Sequence, residues 1–384
     1  MIRLGRVLFI LLSLLPLLSL FGCWNYKEVD DMSIVAGVAL DKDEKSGKLL
    51  LTVEMVDTKG GLQQTQAGFK ILTLAGDTMF DIVRNMISMT GKKLFWSHAK
   101  VIILSEEIAR EGMVKVIDWY SRDTGTRSDV YIFVSKEKTA REILMMNSTS
   151  ESIMSFELAQ MMLDERNSST APVVEIWDFI DKLESSGKSA MAPLIYVHRA
   201  DGRGNERVSG TAVFSKDKMV GMLSGTESKY MLFAQDKVKG GVLPVDAGDG
   251  HPVYSLEIQS SRTKVRPSWI HDKLQIQVDM ETQMNLDEVM TSNGFTHFDA
   301  KKAIEERAEE ILQENITNLI HKVQKEYHAD VFGFGEKIHE NMPSTWKKIN
   351  KDWSNEFSKL AVVVRSQVTI NSSAKTTRSI KIGD

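Results

Sequence analysis

A single cysteine, Cys23, follows directly on a charge-free run, and this one position constrains the whole chain. With no second thiol, no disulfide forms anywhere within it, so the fold must be held by packing and hydrogen bonds alone. A thiolate metal site is ruled out by the same count. Residues 7–22 carry no charge and follow two basic residues, Arg3 and Arg6. At ~1.5 Å per residue that run extends roughly 24 Å, short of the ~30 Å hydrocarbon core of a bilayer. Pro16 further weakens a spanning helix. A basic tip, a short apolar core and a small residue before a cut describe a cleaved secretory signal over residues 1–22.

Leu20 and Gly22 fit the box that precedes the modified cysteine of bacterial lipoprotein signals, although Phe21 is bulkier than usual there. In such signals the thiol receives a diacylglyceryl group. An ordinary signal would instead leave Cys23 a free, exposed thiol with no evident use. The expected modification is S-diacylglyceryl at Cys23, with possible N-acylation of the new amino terminus. One acyl chain gives marginal membrane binding, and a diacylglyceryl group supplies the second that makes it stable. Residues 23–31 then read as a short polar tether. At no more than ~3.5 Å per residue, it would keep the folded body close to the membrane.

Cleavage leaves 362 of the 384 residues, long enough for two or three domains. Losing Arg3 and Arg6 moves the net charge from −4 to −6, which argues against nucleic acid as a partner and against a polybasic membrane clamp.

Two strands are expected over 33–40 and 48–56, then a glycine- and glutamine-rich loop over 57–70. From Asp77 the period turns helical, with Phe80, Val83, Ile87 and Thr90 on one stripe. A strand over 99–104, a helix over 106–120 and a strand over 129–135 follow. Helices are expected over 138–146, 150–164 and 172–184, the last with Pro172 in its first turn. The polar segment 200–206 reads as a linker. Beyond it the period becomes two: 208–215 and 219–223 flank a Lys216–Asp217–Lys218 turn as a hairpin. Residues 235–250 read as a loop. Strands are expected over 253–258 and 274–280, with Leu274, Ile276, Val278 and Met280 on one face. The clearest helix is 299–327, with Ile304, Ala308, Ile311, Leu312, Ile316, Leu319, Ile320, Val323 and Tyr327 in its stripe. A helix over 344–359 burying Trp346, Ile349, Trp353 and Phe357, and a strand over 360–370, close the chain.

No spacing suited to catalysis, a cofactor or a metal appears. His321 and His328 lie two helical turns apart with no third ligand beside them. Gly187–Lys188–Ser189 copies the end of a phosphate loop, but its first glycine is replaced by Lys182. Gly221 stands three residues before Ser224, where a nucleophile elbow needs two. Gly202–Arg203–Gly204 and Gly333–Phe334–Gly335 each lack the third glycine of a dinucleotide fingerprint. The set Trp346, Trp353 and Phe357 reads as core at helical spacing.

Four stretches together resemble the Ger(x)C family, the C-subunit lipoproteins of spore germinant receptors. They are Gly22–Cys23–Trp24–Asn25–Tyr26 with the strand after it; Phe95–Trp96–Ser97–His98; Gly210 through Gly221 to Glu227–Ser228; and Asp330 through Glu336 with Pro343 and Trp346. The resemblance implies a mixed α/β (α+β) fold in three domains, with mixed sheets flanked by helices. The expected division is 32–198, an N-terminal α/β domain; 207–264, a strand-rich domain; and 265–384, with the long helix and closing strand. It also implies a non-enzymatic, lipid-anchored subunit on the outer face of the spore inner membrane, working with multispanning A and B subunits. Two rival readings are a solute-binding lipoprotein of a transporter, which predicts two similar lobes around a hinge, and an envelope hydrolase.

Overall fold

The computed structural model describes residues 32–57, 68–146, 153–201, 203–246, 252–290 and 298–373. The signal segment, Cys23, the tether and the middle of the 57–70 loop lie outside the described residues. The chain starts with β1 (Met32–Lys42), β2 (Leu49–Asp57) and β3 (Gly68–Gly76), an antiparallel meander. The end of the expected 57–70 loop is therefore already strand.

There follow α1 (Met79–Thr90), β4 (Lys93–Phe95), β5 (Val101–Ser105), α2 (Glu106–Glu111), α3 (Val114–Arg122) and β6 (Tyr131–Ser135). Next come α4 (Arg141–Leu144), α5 (Met154–Asp164), α6 (Ile176–Glu184), β7 (Met191–Ala200), β8 (Arg203–Ser215) and β9 (Lys218–Leu223). All nine strands form one sheet in the order β3-β2-β1-β5-β6-β7-β8-β9, with β4 beside the start of β1. Its centre, β1-β5-β6-β7, is parallel, and both flanks are antiparallel. Such a centre demands strands apolar on both faces. β5 meets this: Ile102 and Leu104 enter one core, while Val101 and Ile103 enter the other.

The second half holds α7 (Gly225–Ala234), β10 (Val242–Asp246), β11 (Pro252–Ile270), β12 (Lys273–Val289) and α8 (Phe298–Lys322). After α8 and a π turn over Val323–Tyr327 come α9 (Phe334–Asn341), α10 (Pro343–Ile349), α11 (Trp353–Lys359) and β13 (Ala361–Ser373). The second sheet runs β10-β11-β12-β13. β11 and β12 are far longer than expected and turn through His271 and Asp272, at φ 48° and 58°, the left-handed pair that suits a tight hairpin. α8 crosses over to make β13 parallel to β12, and the expected stripe is buried except for Ile311 and Tyr327, which are half-buried. The molecule is thus mixed α/β, two mixed sheets flanked by helices.

Several expectations need correction. Residues 200–206 are no linker: Ala200 pairs with Arg203, so the segment is the tip of the β7–β8 hairpin. Glycine and polar residues serve tight turns and linkers alike, and only long-range pairing tells them apart. One sheet therefore runs across the expected 198/207 boundary, and the 264/265 boundary falls inside β11. The expected 106–120 helix breaks at Gly112, whose φ of 137° no helix accommodates. Pro172 precedes α6, which starts at Ile176. The 344–359 helix is two helices joined by a 3-10 turn over Asn350–Asp352. α1 buries Met79, Ile82, Val83 and Met86, which leaves Phe80 half exposed and shifts the stripe.

Candidate functional site: a cavity at the start of β1 and a junction between the sheets

The Thr78 hydroxyl caps α1 by accepting from the Asp81 amide at 3.2 Å. Gly91, at φ 66°, ends the helix and turns the chain into β4. β4 then runs parallel to the start of β1, pairing Met32 with Lys93 and Ile34 with Phe95. Between α1, β4 and the 123–125 loop lies a cavity of about 620 Å³. Its apolar lining is Met32, Val83, Ile87, Leu94, Phe95 and Trp96; its charged lining is Arg84, Lys93 and Asp123.

The aromatic wall is held from behind. Trp96 packs edge-on against Trp119 at 4.9 Å between ring centres, and Phe95 leans on His98 at 5.3 Å. The Arg84 guanidinium sits 4.8 Å over the Phe80 ring. A second cavity of about 390 Å³ is lined by Met79, Phe80, Trp119 and the shared Asp123. The Trp119 indole N–H and the Tyr120 hydroxyl are buried without a hydrogen-bond partner among the described residues. Burial pushes the Tyr120 phenol far above its ordinary range.

The third and fourth motifs meet where the two sheets join. Ser224 opens α7 with a capping box: its hydroxyl accepts from the Glu227 amide at 3.2 Å, and Glu227 accepts from the Ser224 amide at 2.7 Å. The other Glu227 oxygen takes Lys322 of α8 at 2.7 Å. Partial burial raises the Glu227 carboxyl, but Lys322 and the Ser224 amide outweigh it and leave it below the usual range. Gly221 of β9 permits close approach: a Cβ there would stand 2.2 Å from the Tyr327 ring, whose hydroxyl donates to the Met222 carbonyl at 3.0 Å.

Asp330 lies fully inside. Its carboxylate accepts from the Gly333 and Gly335 amides at 2.9 and 2.8 Å and from the Trp353 indole at 3.2 Å. Its carbonyl accepts from the Ser189 amide at 2.8 Å. Burial pushes the Asp330 carboxyl up to about 6, against the pull of the neighbouring amides and Lys188. Gly187–Lys188–Ser189 is accordingly part of this junction, and Lys188 pairs with Glu336 at 3.7 Å. Trp346, Trp353 and Phe357 are core, as their spacing indicates, with Trp346 and Trp353 edge-on at 5.3 Å.

His321 and His328 do not come together on any site: His321 is exposed, and His328 shares a hydrogen bond with the Ser358 hydroxyl at 2.6 Å. No cluster of three His, Cys, Asp or Glu suited to a metal occurs among the described residues. Cys23 lies outside them. The residue-by-residue reading missed two buried acids. Asp41 of β1 accepts from the Ala140 and Arg141 amides, and Glu54 of β2 from the Met154 and Ser155 amides, so strands cap α4 and α5 across about a hundred residues. Burial raises both carboxyls. The Ser224–Glu227 capping box was visible as an S-x-x-E spacing.

Comparison with known proteins covers the whole body. The family described as "Spore germination protein N-terminal domain" matches residues 25–197, and "Spore germination B3/ GerAC like, C-terminal" matches 209–374. Among relatives from Bacillus subtilis (strain 168), Spore germination protein KC is 24% identical, with 98% of each chain covered. Spore germination protein A3 is 27% identical over 88% of this chain and 90% of its own, and protein B3 23% over 89% and 91%. The crystal structure of the GerBC protein superposes with a TM-score of 0.55 at 20% identity, covering 90% of this chain and 99% of that one, a shared fold. With both family models matched in order across nearly all of the described body, the chain belongs to the GerAC-like spore germination proteins, the Ger(x)C family that its four motifs resemble.

Proposed function

We propose that this chain is the lipid-anchored C subunit of a nutrient germinant receptor, acting without chemistry of its own beside multispanning A- and B-type subunits. The observation that carries the reading is the match of both family models, beginning at residue 25, just past Cys23. Cys23 takes the diacylglyceryl group, and the short tether holds the body at the outer face of the spore inner membrane. Confinement there raises the effective concentration of the body around its membrane partners, so a modest interface suffices for a stable complex. The solute-binding alternative calls for two similar lobes, whereas among the described residues the sheets have nine and four strands and the larger crosses the chain's middle.

The test is Cys23→Ala in the intact gene. The variant should leave the membrane fraction and lower the germination response that depends on this receptor. Full membrane retention together with a normal response would overturn the reading.

A further inference from the structure

The Phe95–Trp96 stretch lines the larger cavity, and nothing in the anchoring role uses that space. Its about 620 Å³ falls within the roughly 300–1,000 Å³ of small-molecule pockets. Arg84 and Lys93 both line it, and neither makes an ion pair with any described residue. Among nearby cations, Lys48 pairs with Asp77, Arg122 with Asp118 and Arg127 with Asp129, whereas Lys115 beside the second cavity has no ion pair among the described residues either. Among the described lining residues the acid is Asp123, which accepts the Gly125 amide at 2.7 Å and pairs with neither cation. Two cations with no ion-pair partner among the described residues, Arg84 also resting over the Phe80 ring, thus share a space with an apolar wall in which Leu94 and Trp96 are 2% and 5% exposed and Trp96 is packed against Trp119.

We propose that this cavity binds a small organic carboxylate carrying an apolar, ring-sized body. The carboxylate takes charge-assisted hydrogen bonds from Arg84, whose planar guanidinium suits a bidentate pair, and from Lys93. The body lies against Leu94, Phe95 and Trp96, where ring-on-ring contact adds to apolar burial. One terminal anion satisfies both cations, and the apolar part excludes the water that would otherwise screen them. This inference goes beyond the anchoring reading and does not depend on it.

Titration calorimetry on the full-length chain in detergent micelles tests it, with 3-phenylpropionate as probe. Controls are 3-phenylpropan-1-ol, which keeps the body without the charge, and acetate, which keeps the charge without the body. The expected result is saturable binding of 3-phenylpropionate with Kd of about 1 mM or tighter. The Arg84→Gln/Lys93→Gln variant, altered only at exposed side chains, should weaken it at least about tenfold. Partition into micelles would be the same for both proteins and cancels in the comparison. No saturable binding up to about 20 mM, equal affinity in the variant, or equal affinity for the alcohol or for acetate would each overturn the proposal.

Discussion

At the residue scale, Asp330 shows how one buried acid organises a junction. Its two oxygens receive three N–H donors from a tight turn and from Trp353, joining the start of α9 to α11, while its carbonyl joins the chain at Ser189. The folded carboxyl sits near 6, above the 3.8 of a free aspartate. The folded state therefore holds the proton more tightly than the unfolded chain. That contribution is complete below about pH 4 and is lost as pH rises through about 6, up to about 3 kcal/mol for this shift. Urea midpoints of the wild type should fall across that window, and Asp330→Asn should remove the Asp330 share of the slope. The variant should also be less stable at pH 4 by about 1–3 kcal/mol, because an amide NH₂ must face donors. An identical pH slope in the two proteins would show that Asp330 does not titrate there.

At the element scale, the two sheets treat their edges differently, and α8 explains one of them. β13 closes the smaller sheet as an edge strand, which presents unpaired amides to any passing chain. Glu305 and Glu309, one turn apart on α8, accept from the Ile370 and Val368 amides at 2.7 and 2.8 Å. Replacing both by alanine should cost about 1–3 kcal/mol and speed aggregation followed by light scattering, while the double glutamine variant, still an acceptor, should restore most of the loss. Equal aggregation of alanine and glutamine variants would remove the edge-capping role. The α8 stripe was legible because one periodic face meets one sheet. α1 was not legible in phase, since Phe80 and Ile82 are both large and apolar and only the packed structure selects the buried face. β3 was missed because its apolar run follows a glycine-rich segment and gains strand character only by pairing with β2. The cavity wall was half legible: Phe95 and Trp96 stood out as a motif. Arg84 and Lys93 did not, because their shared space depends on β4 pairing with β1 some sixty residues earlier.

At the scale of the whole molecule, the sheet that crosses the middle of the chain decides how the halves depend on each other. Both family models stop on either side of residues 198–208, at the same place where composition suggests a linker. Physically that place is a hairpin tip: β7 and β8 pair from Ala200 and Arg203 back to Met191 and Val213. A protease site introduced beside Asp201, where φ is 51°, would cut only the turn. The ladder and the buried core beneath it would remain, so the two pieces should co-elute on gel filtration and unfold together. Because folding is then a two-chain event, their melting midpoint should rise with protein concentration, as mass action requires. Pieces joined by a true linker would instead separate after the cut and melt independently of concentration. Separation under native conditions would restore a division into independent domains at 198/207 and sink the single-sheet account. Co-elution would make the β7–β8 hairpin the element that binds the two family-defined halves into one body.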